Sequence, residues 1–507
     1  MGPGAAWLIL WVPATVLVLL WRRDRRLAYF VPIAGTTLFC AGLTLSAIGW
    51  LGPSGLAAIT TIGGAAAFPA LAAWARAYTS GDLPTFLSRL RRRPGWVTSC
   101  VALALLAAAG YYLLGRAIVE RWGFRDDLTL FDSDAPRYLR LIAGGAGEAP
   151  VAHKHPAYVL LAGSATRALA AVGSPAPLVV NAAAGAVAVL LATAYFRRVT
   201  GSQVLAVLLG AALGLSTGHV IFGAIPETYA WSAMGLILMH LVLAGREESA
   251  QPGAGRQSPA RLRHVVPAAV LAVGITLTHL LPALFCYALG QRGWWRWRRL
   301  LRWLAALVTG LGLLLTLQNA FFASGRLDLR PQVLAAEKRY MADFSIAGMR
   351  EALLNVFRGV FAESVVAPCP RPGRDRDGHA GVQLGAYSDA LSRICVAFWW
   401  LLLAGSVAAV VMSASARGPT LAAVVLGLVF VVTLHVFYGN THVFLFSCTF
   451  TFYLFAVVAH GLRTLPHRPA ALAMAVWVGL CTLNNGRFCA RLLELLRILG
   501  RFGEGAC

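Results

Sequence analysis

The sequence predicts an all-α protein that crosses a membrane many times, and three observations carry that reading. Hydrophobic residues fill 58% of the 507 positions and charged residues only 13%, about half the charge share of a soluble domain. Apolar runs of about 20 residues, the length that crosses a bilayer core, recur along the chain. The mean hydropathy is accordingly +0.68. The arginines stand mostly in short loops between those runs. The formal net charge of +23 therefore sets orientation in the membrane and does not mark a nucleic-acid surface. Six of the cysteines (Cys40, Cys100, Cys286, Cys395, Cys448, Cys481) fall in apolar runs, with no CxxC or Cys/His spacing. That pattern argues against a disulfide scaffold and a zinc site.

Taken in order, spans are expected at Ala5–Trp21, Ala28–Gly49, Gly55–Ala75 and Trp96–Gly115. The first lacks a basic leader and is followed by Arg22–Arg26, so it reads as an uncleaved span. Arg22–Arg26 and Arg76–Pro94 are basic and belong inside, which puts the segment after Gly115 outside. His155–Val172 is apolar enough to cross. If it did, however, Arg197 and Arg198 would lie outside, so it is read as resting on the outer face. Leu178–Phe196, Gln203–Phe222 and Ala230–Ala244 follow as spans, then the polar inner loop Arg246–His264. Val265–Gly290 lies between two basic loops and must be a short hairpin turning near Thr278-His279, tolerable only inside a bundle. Leu300–Phe322 runs outward. Ala323–Ser392 is a long outer segment with an amphipathic helix around Ile346–Val360 and an irregular stretch at Pro368–Gly378. Ile394–Met412, Leu421–Phe437, Val443–Ala459 and Ala470–Leu483 complete the bundle. The tail arginines Arg487, Arg491, Arg497 and Arg501 would then lie outside on an amphipathic surface helix, unless the last span does not cross.

Five polar signals fall on the outer face in this arrangement. Arg116–Pro156 holds four clustered carboxylates, Asp126, Asp127, Asp132 and Asp134. His153-Lys154-His155-Pro156 heads the helix that follows. Glu227 stands on the turn Ile225–Tyr229, where a carboxylate near a membrane is a functional candidate by default. His279 sits at the hairpin turn, and Tyr438–His442 is a short polar turn. Each has an ordinary structural explanation; their shared face is what carries information.

These motifs resemble the GT-C superfamily of membrane glycosyltransferases, which use polyprenyl-phosphate sugars. The protein O-mannosyltransferases and aminoarabinose transferases are examples. Asp134-Ala-Pro-Arg-Tyr138 is similar to that family's Asp-Glu-x-x-Tyr motif, with Ala135 where Glu often stands, and Asp132-Ser-Asp134 to its Asp-x-Asp form. His155-Pro156 matches the start of its membrane-parallel helix, and Glu227 its second acidic position. The resemblance implies a GT-C-like bundle of about 12–14 spans with an acidic first large outer loop containing membrane-parallel helices. It divides the chain into N-terminal helices (1–94), a catalytic core (95–322, with outer loop 116–176), a long outer loop (323–392) and C-terminal helices with an amphipathic tail (393–507). Two departures stand out: three extra spans precede the acidic loop, and no large soluble domain follows the last span.

The chemistry implied is sugar transfer to an acceptor hydroxyl with inversion. A loop carboxylate acts as base, Asp134 as first choice and Asp132 as second, with Glu227 as the further acidic residue. Lys154, His155, Arg137 and His279 would balance the donor phosphate. A divalent metal, Mg or Mn, on Asp132 and Glu227 is the alternative balance. The partners would be the polyprenyl-phosphate sugar, membrane lipid and a lipid, glycan or protein acceptor. The heavy use of Arg over Lys, with much Ala and Gly, fits a GC-rich bacterial genome, so the protein is expected in a bacterial plasma membrane, and the topology puts the active site on its outer face. A lipid or sugar transporter or flippase is the competing class; it would show internal repeats and ionisable groups near mid-membrane.

Overall fold

A computed structural model describes residues 94–123, 128–143, 155–170, 176–248, 262–290, 297–321, 340–374, 379–413 and 418–504. The three expected spans before residue 76, the carboxylates Asp126 and Asp127, and His153 and Lys154 lie outside these residues. Helix makes up 84% of the structure, so the all-α expectation holds, with one small sheet added. Among the described residues seven helices are long and apolar enough to cross a membrane, and the chain is a multi-pass membrane protein.

The helices are α1 Pro94–Trp122, α2 Ala135–Ala143, α3 Pro156–Ala170, α4 Ala176–Thr200, α5 Gln203–Leu215, α6 Thr217–Ala224, α7 Thr228–Glu248, α8 Leu262–Ile275, α9 Leu280–Leu289 and α10 Trp297–Phe321. Beyond the long loop come α11 Ile346–Arg358, α12 Ala390–Met412, α13 Pro419–Phe437, α14 Ser447–Leu462 and α15 His467–Glu504. Outward-facing apolar side chains such as Leu105, Leu106 and Leu401 are 64%, 71% and 74% exposed, as expected of surfaces solvated by lipid chains.

The expected hairpin is present. α8 climbs α7, with Gly235 against Ala272 and Ser232 meeting Thr276. The chain turns over Leu277–His279, and α9 descends. Cys286 returns to within 3.7 Å of His240, and the Tyr287 hydroxyl donates to the Arg299 carbonyl at 2.9 Å. α3 is 15 residues long, about 22 Å, too short to cross a hydrocarbon core of about 30 Å. Its core neighbours Val180, Ile275 and Leu314 stand at the ends of α4, α8 and α10 nearest the acidic segment.

Three expectations need correction. Gln203–Phe222 is not one continuous span. It breaks at Ser216 into α5 and α6, bent by 62°, and partners from distant elements hold the break open. The N–H groups of Thr217 and Gly218 donate to the carbonyls of Val365 and Ser364 at 3.3 and 3.0 Å. Asn485 Nδ2 donates to the Leu215 carbonyl at 2.7 Å. The tail arginines are not on a separate surface helix, because α15 is continuous for 38 residues. It carries Arg491 to Asp389 at the start of α12. Finally, the stretch expected to be irregular contains a strand. β1 (Leu128–Leu130), β2 (Pro370–Arg374) and β3 (Ala380–Leu384) form a sheet ordered β1-β3-β2. β1 pairs parallel to β3, with Leu130 opposite Val382, and β2 pairs antiparallel to it. Residues 375–378 between them are outside the described set. The amphipathic helix expected around Ile346–Val360 is α11.

Candidate functional site

The sheet clamps the acidic segment to the long loop at one end of the bundle. Past β1 the chain reverses over Leu130–Ser133, closed by Ser133 N–H donating to the Leu130 carbonyl at 3.0 Å. Both central residues are left-handed, Phe131 at φ 53° and Asp132 at φ 59°. Such turns normally take Asn or Gly there. A bulky side chain in this region is strained, and the surroundings must hold it. Here Phe131 is buried between Phe444 and Phe488, with ring centroids 5.3 and 6.1 Å away. Its N–H donates to the Val382 carbonyl at 2.9 Å.

This turn aims Asp132 across the bundle end. Its Oδ2 lies 3.0 Å from His442 Nδ1, with the two side chains 22% and 15% exposed. His442 comes from the turn after α13. That turn needs Gly439, left-handed at φ 67°, and is tied to the long loop by Gly439 N–H donating to the Tyr340 carbonyl at 2.8 Å.

Asp134 opens α2. Its carboxylate is 52% exposed and lies 3.4 Å from Arg137. Its backbone N–H donates to Glu227 Oε1 at 2.7 Å, while Thr228 N–H donates to Glu227 Oε2 at 3.1 Å. Glu227 thus joins the first turns of α2 and α7, where helix N-termini favour a carboxylate. It is fully buried. That burial pushes its carboxyl well above the ordinary value, and the neighbouring Asp134 charge adds to the effect. Pro226 ends the preceding helix, since the residue before proline is driven out of the helical region. Ile225 is accordingly extended. Asn181 secures this corner by donating to the carbonyls of Phe222, Gly223 and Ile225 at 2.9, 3.1 and 2.6 Å.

The other candidates lie beside this pair. His155 Nδ1 is 2.5 Å from the Ile275 carbonyl, and its ring is 5.8 Å from that of Tyr138. His279 is buried at the hairpin turn, within electrostatic reach of His155. Arg137 faces Asp134, and Lys154 lies outside the described residues. Four contacts therefore link the five sequence signals, the last through the hairpin backbone at Ile275 and not through His279 itself: acidic segment to Glu227, acidic segment to His442, Tyr138 to His155, and His155 to the hairpin. The structure adds His442 itself, Phe131 and Asn181. His442 was visible only as part of a polar turn. Asn181 was one uncharged residue in an apolar run, with no signal.

A divalent cation on Asp132 and Glu227 does not fit the donors as they stand. Both Glu227 oxygens accept backbone N–H groups, and Asp132 faces His442. Among the described residues no three His, Cys, Asp or Glu side chains converge on a metal position. No family model matches the chain, and no curated protein or solved structure is similar to it.

Proposed function

We propose that the protein is a membrane glycosyltransferase of the GT-C kind, moving a sugar from a polyprenyl-phosphate donor to an acceptor hydroxyl. The observation that carries this reading is the convergence of Asp132, Asp134 and Glu227 at one end of an apolar bundle, beside His155. A lipid-linked donor needs its tail against the spans and its sugar at their ends. One loop carboxylate, Asp132 or Asp134, takes the proton of the acceptor hydroxyl. The hydroxyl oxygen attacks the anomeric carbon, and the bond to the phosphate oxygen breaks. Lipid phosphate leaves with the bonding electrons, so a single displacement inverts the anomeric centre. Arg137, His155, His279 and Lys154 stand in the segments that would receive the phosphate charge. Glu227 holds the two helix starts together and does not touch substrate in this reading. The site faces outward from a bacterial plasma membrane, as the basic loops at the opposite ends of the helices support.

The competing reading, a transporter or flippase, draws support from the broken pair α5–α6, since discontinuous spans bind cargo in many transporters. There, however, the unwound ends face a cavity. Here Ser364, Val365 and Asn485 occupy them. The test is release of polyprenyl phosphate from labelled donors in proteoliposomes. The native chain is expected to release it, and the Asp132→Asn/Asp134→Asn double variant to lose release by about a thousandfold or more. Flux of donor across the bilayer without cleavage, unaffected by the double variant, would favour the transporter.

A further inference from the structure

We infer that His442 is a positioning residue for Asp132, and that Asp132, not Asp134, is the base. This rests on the glycosyltransferase reading and assigns roles within its site. The two carboxylates sit in different surroundings. Asp134 begins a helix, is half exposed and leans on Arg137 at 3.4 Å on the same helix. An exposed pair of that kind is weakly held. Asp132 is largely enclosed, at 22% exposure, and its partner arrives from a turn more than 300 residues further along the chain.

The backbone supports the same assignment. Asp132 tolerates the left-handed region, but leaving Phe131 there is a cost, typically about 1–3 kcal/mol for a strained residue. Asn or Gly would avoid it. The strain is held by three separate devices: the Phe444–Phe488 ring pair around Phe131, the β1–β3 ladder, and the Leu130–Ser133 turn. The outcome of that investment is the direction of one side chain. The Asp132 carboxylate points at His442 and not into solvent. The His442 ring stands against Oδ2, with Nδ1 3.0 Å away but not aligned for a hydrogen bond, and so limits how the carboxylate turns. Oδ1 is then the oxygen that takes the acceptor's proton, as an oriented partner group does for a general base elsewhere. His442 neither gains nor loses a proton in the step. The acceptor O–H proton ends on Asp132, and the new glycosidic bond replaces the anomeric carbon–phosphate oxygen bond.

The experiment is a set of steady-state measurements on full-length protein in proteoliposomes, with a labelled polyprenyl-phosphate sugar that the native chain consumes. The set is native, Asp132→Asn, Asp134→Asn, His442→Ala, His442→Asn and the Asp132→Asn/His442→Ala pair, each normalised to folded protein. His442→Ala is expected to lower kcat about a hundredfold with donor KM within about twofold. His442→Asn, which keeps a polar group of similar reach against Oδ2, should recover most of that loss. In the Asp132→Asn background His442→Ala should cost nothing further, because the two act as one unit. Asp134→Asn should cost far less kcat than Asp132→Asn. Additive losses, an Asn variant as poor as Ala, or a collapse at Asp134→Asn with Asp132→Asn active would overturn the assignment. If His442→Ala does not fold, the Asn variant decides: turnover near native supports the role, and loss like that of Asp132→Asn with normal folding contradicts it. A native chain that consumes no lipid-linked sugar removes the glycosyltransferase reading itself, and this inference with it.

Discussion

The acidic end of the bundle and the break between α5 and α6 both place polar residues where the sequence is otherwise apolar, yet they are built oppositely. At the break the freed backbone groups of Leu215, Thr217 and Gly218 are answered by protein. Asn485 donates to the carbonyls of Leu215 and Val365 and accepts from Ala367 N–H at 3.0 Å, while Asn484 donates to the Ala367 carbonyl at 2.9 Å. The polar atoms there close a gap in a helix. At the acidic end the carboxylates come from separate elements, two of them retain solvent access, and the backbone is strained to aim one. Satisfied polar groups in an apolar bundle specify structure, whereas a strained, partly open carboxylate pair has reactive capacity left over. That difference fits a structural role for the break and, under the proposed function, chemistry at the acidic end.

The contrast can be broken by substitution. The largest stability effect is expected at Asn485→Leu. It strands two backbone groups, the Leu215 carbonyl and the Ala367 N–H, while the Val365 carbonyl keeps Thr217; at about 1–3 kcal/mol each, detergent-solubilised protein should lose about 2–6 kcal/mol of stability. Retention of the native thermal transition would show that the break is not held by Asn485. Glu227→Ala comes next, with two backbone donors left buried and a loss of about 2–4 kcal/mol expected in the same assay.

Glu227→Gln sharpens the point through pH. Folding raises the Glu227 pKa above its ordinary value of 4.5, so the folded state binds that proton more tightly than the unfolded chain does. The stability this contributes is complete below the unfolded carboxyl range and is lost as pH rises through the folded value. The Gln variant does not titrate there. Its melting temperature should therefore gain on the native protein as pH rises from about 4.5, and a difference independent of pH would contradict the burial argument. Asp132→Gly should be smaller still. Aspartate tolerates the left-handed region, so stability should change by less than about 1 kcal/mol while transfer is lost, and a larger decrease would show that the carboxylate itself holds the turn. Smallest of all is Arg491→Ala. Its exposed pair with Asp389, at 3.0 Å, should change stability by less than about 1 kcal/mol in a thermal melt.

Much of this contrast was legible before the structure. Charge on either side of Val265–Gly290 required a short hairpin, and periodicity from Ile346 onward marked α11. The short α3 followed from keeping Arg197 and Arg198 on the basic side. What escaped depends on partners remote in sequence. The Leu215–Gly218 stretch carries only mild helix-breaking residues, and its break exists because Ser364, Val365 and Asn485 receive the freed groups. β2, Pro370–Arg374, contains two prolines and reads as a loop. It survives as a strand because it lies at the edge of the sheet, where proline costs least. Phe131 has no sequence mark of a left-handed residue, since its strain is imposed by Phe444 and Phe488. The candidate residues stood out as a set, because charge in an apolar chain is conspicuous. Their pairing was not, because Asp132 meets His442 and Asp134 meets Glu227 only through the fold.

The most direct test sets the two regions against each other in one assay: sugar transfer from a labelled polyprenyl-phosphate donor per folded molecule, for Asp132→Asn and Asn485→Leu. The account predicts that Asp132→Asn melts like the native protein but transfers at under about a hundredth of its rate, while Asn485→Leu melts early and the molecules still folded transfer normally. The reverse pattern, with activity lost at Asn485 and retained at Asp132, would contradict it and place the function at the broken helix.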